Sequence, residues 1–337
     1  MRTSDFTYDL PADRIAQQPA EPRDSSRLLV LDREAGALAH RQFHDLPDLL
    51  RQGDLLVLNV TRVLPARVHA VKSNGGGKAE ILLVRRTGPR TWEALVGGRR
   101  IVPGTRLQLR DDSWADVIED LGGPRRTVVF DRPITPRLHE VGEAPLPPYI
   151  HSQVIDPRRY QTVYGRVDGS VAAPTAGLHF TPHLMARLNQ AGVALTEITL
   201  HIGLDTFAPV EAGDPEQHTI HSEWCQVSDE AVEAIRATRE KGGRVIAVGT
   251  TCVRALESAA EAHGEVGPFE GPTRLFILPG YRFRALDGLI TNFHLPRSTL
   301  LMLVSAFAGR ERILAAYQAA LEAGYRFYSF GDAMLIL

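Results

Sequence analysis

Residues 244–264 read RVIAVGTTCVRALESAAEAHG. The opening RVIAVGT carries a short apolar run and reads as a buried strand. A Gly-Thr-Thr turn follows, and VRALESAAEAHG reads as a helix. Strand, turn and helix in that order predict a layered α/β domain.

The same alternation extends on both sides of this stretch. Thr181-Pro182 opens a helix, with an N-cap and a proline at the first position, and Gly192 closes it. VALTEITLHIG (193–203) reads as a strand. Ser228 caps DEAVEAIRATREK, with Gly242 after its end. LFILPG (275–280) and GLITNFHL (288–295) look strand-like. STLLMLVSAFAG and RERILAAYQAALEAG read as helices, and RFYSFGDAMLIL (326–337) as a last strand. Near the start, RLLVLD (27–32) and the run 55–60 read as buried strands.

Residues 65–150 differ. ARVHAVK, KAEILLVRR, TWEALVG, TRLQLR, ADVIED and RTVVFD are short β-favouring runs punctuated by Gly and Pro. Such spacing predicts a small antiparallel barrel or sandwich. PLPPYI (145–150) makes a stiff exit. The expected organisation is a discontinuous α/β domain, 1–64 with 151–337, carrying 65–150 as an insert. The length of 1–64 argues against its completing a core alone.

The chain has 337 residues, 44% hydrophobic and 23% charged, which excludes wholesale disorder. No apolar run approaches the ~20 residues of a membrane-spanning helix. Asp5 and Asp9 stand where a secretion signal needs its apolar stretch, so a cytoplasmic protein is expected. The two cysteines, Cys225 and Cys252, form no CxxC pair and fit a reducing compartment. Net charge is −2, unevenly spread. Residues 65–150 hold 14 Lys and Arg against 10 Asp and Glu, while the remainder holds 24 against 30. Lysine occurs only at 72, 78 and 241, so 35 of the 38 basic residues are Arg, the cation better suited to phosphate and base recognition.

Several polar blocks punctuate the α/β part. GSVAAPTAGLHFT (169–181) sets Pro174, Thr175, Gly177 and His179 in a small-residue loop before a helix, where a backbone can approach an anionic ligand. A tight turn around a buried His would look the same. HIGLDTFAPV (201–210) places His201, Gly203 and Thr206 after a strand, the usual ligand edge of an α/β sheet. HTIHSEWCQV (218–227) crowds His221 and Glu223 beside Cys225. It lacks HExxH or CxxC, so no metal is expected. Gly249, Thr250 and Thr251 present N–H groups and hydroxyls ahead of Arg254 and Glu257, which would otherwise be a surface ion pair. Asn292 and His294 precede an apolar helix. Thr61, Arg62 and Arg67 lie where the α/β segment meets the insert, a common ligand position.

Taken together, these blocks resemble one family closely. The residues are YDLPADRIAQQP with RDSSRLLVLD, NVTRVLPAR, PLPPYI, YQTVYG, VAAPTAGLHFT, HIGLDTFAPV, HSEWCQV, VIAVGTTCVRALES, TNFHLPRSTLLMLVSAFAG and YRFYSFGDAMLIL. They look like the S-adenosylmethionine:tRNA ribosyltransferase-isomerases of queuosine biosynthesis, from about Asp5 to Leu337. Departures are Val60 in place of a second Asn, Asp205 where a small residue is common, and Cys252 for a usual Ser. Val60 weakens any role for that amide, and Cys252 argues against that hydroxyl being essential.

The resemblance implies an α/β domain with an inserted β-barrel. It also implies transfer and isomerisation of the ribosyl group of S-adenosylmethionine onto 7-aminomethyl-7-deazaguanine at the tRNA wobble position. The product is epoxyqueuosine-tRNA, with adenine and methionine released. S-adenosylmethionine is consumed as co-substrate, and no metal or other cofactor is implied. The sulfonium acidifies the adjacent ribose carbon, so a base must take a proton there and an acid should help adenine leave. Groups titrating near neutrality suit both steps. The candidates are His179, His201, His221, His294, Glu223 and Glu257. The methionine carboxylate or a tRNA phosphate is expected on the N–H groups near Gly249–Thr251 or Thr175–Gly177. Adenine could stack on Phe180, Phe207 or Phe293, each of which reads equally well as core. The tRNA is expected on Arg62, Arg67, Arg85, Arg86, Arg99, Arg100, Arg125 and Arg126, with salt-sensitive binding. A monomer is favoured. A metal-dependent hydrolase using the His-rich segment and a non-catalytic RNA binder are the rival readings.

Overall fold

In the computed structural model, which describes residues 1–151, 156–203 and 210–337, Val245–Val248 is a fully buried strand and Thr250–His263 a helix. Gly249 joins them at φ 90°, a left-handed conformation that only glycine adopts without strain. The chain divides into two compact units. One comprises Met1–Arg62, Pro148–Val167 and Ala173–Leu337, and the other Val63–Pro147 with Asp168–Ala172.

The first unit is built on a nine-stranded mixed sheet. Its order is Phe269–Thr273, Glu223–Val227, Ala194–Leu200, Leu55–Asn59, Val245–Val248, Gly288–Asn292, Ala333–Ile336, Arg27–Leu31 and Leu38–Gln42. Ala194–Leu200, Leu55–Asn59, Val245–Val248 and Gly288–Asn292 run parallel. Their carboxyl ends therefore share one edge. Ala333–Ile336 is antiparallel to Gly288–Asn292 and parallel to Arg27–Leu31, so the amino ends of these two strands reach the same edge. Three central strands are apolar and buried along most of their length, as a sheet covered on both faces requires. On one face Leu56, Leu58, Ile246, Val248 and Ile290 meet Phe43, Phe180, Leu184 and Leu188. The alternate residues turn to the other face, against helices Asp229–Glu240 and Thr250–His263. Thr181, Ser228 and Ser298 cap helices Pro182–Gln190, Asp229–Glu240 and Thr299–Ala308, each accepting from the N–H three residues on. Each cap contributes on the order of 1 kcal/mol.

The sequence reading misplaces three elements here. LFILPG is not a strand; the strand is the preceding FEGPT, Phe269–Thr273. As an edge strand it tolerates Pro272. The chain then leaves the sheet because the Leu275 N–H turns back onto Thr273 Oγ1 and its carbonyl is claimed by Arg254. Within 326–337 only Ala333–Ile336 is strand, since Tyr328 turns at φ 70° and Asp332 binds back to the Arg326 N–H. Leu38–Gln42, half-buried to exposed, carries no apolar run by which to announce itself.

The second unit is a closed barrel. Arg67–Lys72, Lys78–Arg86, Thr91–Gly97, Arg125–Phe130, Trp114–Gly122 and Arg106–Leu109 pair in that order, all antiparallel, and Arg106–Leu109 returns to Arg67–Lys72. Burial alternates along Lys78–Arg86 and Thr91–Gly97, and Ile81, Leu83, Trp92, Ala94, Val117, Val128 and Phe130 fill the interior. Among the described residues, no helix is long and apolar enough to cross a membrane.

Candidate active site

Asn59 ends an otherwise apolar strand and is fully buried. A buried amide must find partners, and this one finds four. Its Oδ1 accepts the backbone N–H groups of Thr61 (3.1 Å) and Leu200 (3.0 Å). Its Nδ2 donates to the Leu200 carbonyl (3.0 Å) and to Thr251 Oγ1 (3.2 Å). Two strand ends and a helix start are thereby tied together at the carboxyl edge. Thr61 Oγ1 lies 2.9 Å from Nδ1 of His201, whose half-buried ring stacks on Trp224 at 5.2 Å and 19°.

Farther along the same edge a second chain of hydrogen bonds surrounds His179. Thr175 Oγ1 donates to Asn292 Oδ1 at 2.7 Å. That fixes the amide's orientation, so Asn292 Nδ2 donates to His179 Nε2 at 3.1 Å. Nδ1 of His179 is then the protonated nitrogen and donates to Ser26 Oγ at 2.7 Å. The ring stacks on Phe43 at 4.9 Å and is buried. Burial first, then the charges of Arg23 and Arg326, hold its pKa well below the ordinary imidazole value. His179 is thus a neutral imidazole with both nitrogens engaged. Gly177, in the same loop, leaves space for Tyr164: a Cβ there would lie 2.1 Å from the Tyr164 hydroxyl.

Glu223 and Arg254 form a buried ion pair rather than separate roles. Glu223 Oε1 also accepts the Gly203 N–H at 3.0 Å, and Arg254 Nε donates to the Leu275 carbonyl at 3.1 Å. Among the described residues, Arg254 Nη2 meets no acceptor. The expected surface pair of Arg254 with Glu257 does not form. Glu257 is fully buried and accepts the Tyr281 hydroxyl and the N–H groups of Arg284 and Ala285. It anchors that loop, and burial raises its pKa against the pull of those hydrogen bonds.

His294 is also buried. Its Nε2 lies 2.7 Å from Thr291 Oγ1, its carbonyl accepts the Tyr8 hydroxyl, and its N–H donates to the Tyr317 hydroxyl. Burial pulls its pKa down to about 3. His221 is exposed, outside the strand that begins at Glu223. Cys225 and Cys252 are buried thiols pushed up to about 12 by desolvation. Among the described residues, no three His, Cys, Asp or Glu side chains gather as a metal site requires. Thr250 and Thr251 are buried at the helix start, Pro174 precedes the turn Thr175–His179, and Arg62 is exposed. Thr206 and Phe207 lie outside the described residues. Phe180 and Phe293 are packed in the core and offer no open face for adenine, so of the two readings the core one holds for both.

On the barrel, Arg67 faces Glu80 at 3.5 Å and Arg85 is paired with Glu93. Arg126 is committed to Asp120 and to the carbonyls of Ile101, Gly123 and Arg125, so its guanidinium braces the barrel. Arg86, Arg99 and Arg100 are exposed. Ser26, Asn59 and Trp224 escape the sequence reading. The polar residue closing the apolar run LLVLN is a signal by which Asn59 is recognisable.

The model of the family described as queuosine biosynthesis protein matches residues 3–336. S-adenosylmethionine:tRNA ribosyltransferase-isomerases from Symbiobacterium thermophilum and Moorella thermoacetica are each 54% identical, over 341 and 344 residues, with both chains covered completely. The crystal structure of the S-adenosylmethionine tRNA ribosyltransferase from Thermotoga maritima is 40% identical. The match covers 99% of this chain and 100% of that one, with a TM-score of 0.58.

Proposed function

The chain belongs to the queuosine biosynthesis protein family, and from that premise we propose that it performs the reaction for which its relatives are named. It transfers the ribosyl group of S-adenosylmethionine to tRNA and isomerises it. The acceptor is 7-aminomethyl-7-deazaguanine, the product is epoxyqueuosine-tRNA, and adenine and methionine leave. The observation that carries this reading is identity of 54% without a gap in coverage at either end.

The chemistry begins where the sulfonium acidifies the neighbouring ribose carbon. Of the six titratable candidates, His179, His294, Glu223 and Glu257 are buried and bound by neighbouring protein groups. Half-buried His201 and exposed His221 are the more accessible two of the six. We assign the proton transfer at the ribose carbon to His201. Thr61 beside its Nδ1 and the Trp224 face orient the ring for a proton transfer. His221 is the remaining candidate for protonating the departing adenine. Thr175, Asn292, His179 and Ser26 act as a rigid, neutral scaffold for the loop 174–180. Gly203, Gly249, Thr250, Thr251 and Arg254 line the neighbouring ends of the sheet, where the hydroxyls of S-adenosylmethionine find donors. Arg62, Arg86, Arg99 and Arg100 supply exposed charge for tRNA phosphates.

The test is adenine release. Purified protein incubated with S-adenosylmethionine and tRNA carrying 7-aminomethyl-7-deazaguanine is expected to liberate adenine. Unmodified tRNA is expected to give none. Absence of adenine with the modified tRNA overturns the reading.

A further inference from the structure

The stretch EPRDSSR (21–27) leads into the strand Arg27–Leu31 and carries Ser26, which holds His179. Three residues earlier, Arg23 is half-buried beside the same loop. Its Nε donates to the Leu178 carbonyl at 2.7 Å, and its guanidinium carbon stands 5.8 Å from the Phe330 ring centroid. A guanidinium has five N–H donors. Among the described residues only the Nε donor of Arg23 has an acceptor, and Nη2 is buried without one. By contrast, Arg126, which braces the barrel, has its donors taken by a carboxylate and three carbonyls.

The charge around Arg23 is also unbalanced. Arg159 and Arg326 lie close enough for their charges to press down on its pKa, after the larger effect of burial, and it stays protonated at neutral pH. Among the described residues, no carboxylate pairs with Arg23: buried Asp24 accepts the Thr181 hydroxyl, and Asp156 is taken by Arg158. Glu21 is exposed and takes Arg159 at 2.6 Å. Asp332 is buried 3.8 Å from Arg326, and its oxygens already accept the N–H groups of Arg27 (2.9 Å) and Arg326 (2.7 Å). Among the described residues, Arg159 and Arg326 each have a carboxylate within ion-pair distance, and Arg23, the most buried of the three, has none. An oxyanion accepting two parallel N–H bonds is the group that fits such a fork.

We infer that Arg23, with Arg159 and Arg326, binds a substrate oxyanion beside the Leu178–His179 turn. The inference rests on the proposed function, whose two substrates each bring such a group: a methionine carboxylate and tRNA phosphodiesters. The anion would then be held directly against the loop that Thr175, Asn292 and His179 keep rigid.

The test uses full-length Arg23→Gln and Arg23→Lys variants. It measures kcat, the KM for S-adenosylmethionine, and the Kd for modified tRNA across a potassium chloride series. Arg23→Gln is expected to weaken one substrate at least tenfold while changing kcat less, and Arg23→Lys to recover part of the loss. Weaker tRNA binding with a salt slope smaller by about 0.7–0.9 identifies a phosphate. A raised KM for S-adenosylmethionine with an unchanged salt slope identifies the carboxylate. A folded Arg23→Gln protein with wild-type KM, Kd and slope overturns the site. If Arg23→Gln does not fold, the more exposed Arg159→Gln and Arg326→Gln are measured the same way, and wild-type values in both overturn it. A wild-type protein that releases no adenine, while Arg23→Gln still weakens tRNA, removes the proposed function and leaves this site standing.

Discussion

Asn292 Nδ2 stands 3.1 Å from Nε2 of His179, and Thr175 holds the other end of the same amide at 2.7 Å. The orientation of one side chain therefore sets the tautomer of the next. Asn292→Asp puts an acceptor where Nε2 needs a donor and forces the imidazole to exchange its proton between nitrogens. The expected result is a kcat lower by about 100-fold, the scale of a small misplacement in an active site, with tRNA affinity within threefold of wild type. Single-turnover adenine release and tRNA binding check this together. Wild-type kcat removes the scaffold role.

His201 is expected to behave differently from the buried histidines. His201→Gln keeps a hydrogen-bonding group near Thr61 but cannot accept the proton, so adenine release should fall by about 10²–10⁴-fold. The protein's thermal midpoint should move little, because the ring is only half-buried. A variant that unfolds more readily yet releases adenine at the wild-type rate would reverse the assignment.

The pair of Glu223 and Arg254 should reveal itself in unfolding. Glu223→Gln leaves the Arg254 charge buried without its carboxylate, at a cost of about 3–5 kcal/mol. Glu223→Leu combined with Arg254→Met should be less destabilising than the worse of the two single changes. Urea denaturation of all three proteins decides it, and additive single effects would contradict direct coupling.

Acid sensitivity follows from the buried imidazoles. The pKa of His294 falls from 6.5 unfolded to about 3 folded, because burial disfavours the cation. Between those values the unfolded chain binds the proton and the folded chain does not. Stability is therefore complete above pH 6.5 and is lost as pH falls toward 3, by about 1.4 kcal/mol per unit. His179, lowered for the same reason, acts in the same direction. Urea midpoints at pH 7.5, 6.0 and 5.0 should fall steadily, and His294→Gln should flatten the trend. Equal midpoints across that range would refute it.

Gly177 and Tyr164 offer a steric test. A Cβ at residue 177 would lie 2.1 Å from the tyrosine hydroxyl and 2.8 Å from Thr162 Cγ2. Gly177→Ala is expected to destabilise the protein by about 1–3 kcal/mol, the usual range for overpacking. Tyr164→Phe should recover part of that loss, since the tyrosine hydroxyl has no partner among the described residues. A thermal-shift double-mutant cycle measures the coupling, and strict additivity would rule out the clash.

Much of the fold is legible in the sequence because apolar runs such as VIAV and LLVLN and caps such as Ser228 and Ser298 are local signals. Leu38–Gln42 and Phe269–Thr273 are harder to read, since their strand character comes from neighbours across the sheet. The site divides along the same line. His201, Asn292 and the Gly249 turn stand at strand ends that periodicity can locate. Glu257 looks like a free carboxylate on a helix until the loop that it anchors, 24 residues or more distant in sequence, is in view. Arg23 is invisible beforehand for a similar reason: its environment is assembled from residues near 159, 178, 326 and 330.

The position of Ala333–Ile336 in the sheet has a bearing on biosynthesis. Among the described residues, Arg27–Leu31 and Leu38–Gln42 join the other strands of the sheet only through this four-residue strip. During translation the earliest-made part of the sheet must wait, its inner edge unpaired, until residues 333–336 have emerged from the ribosome. The barrel has no such dependence and can close while the polypeptide is still being extended, so the two units should acquire protease resistance in the reverse of what their starting points suggest.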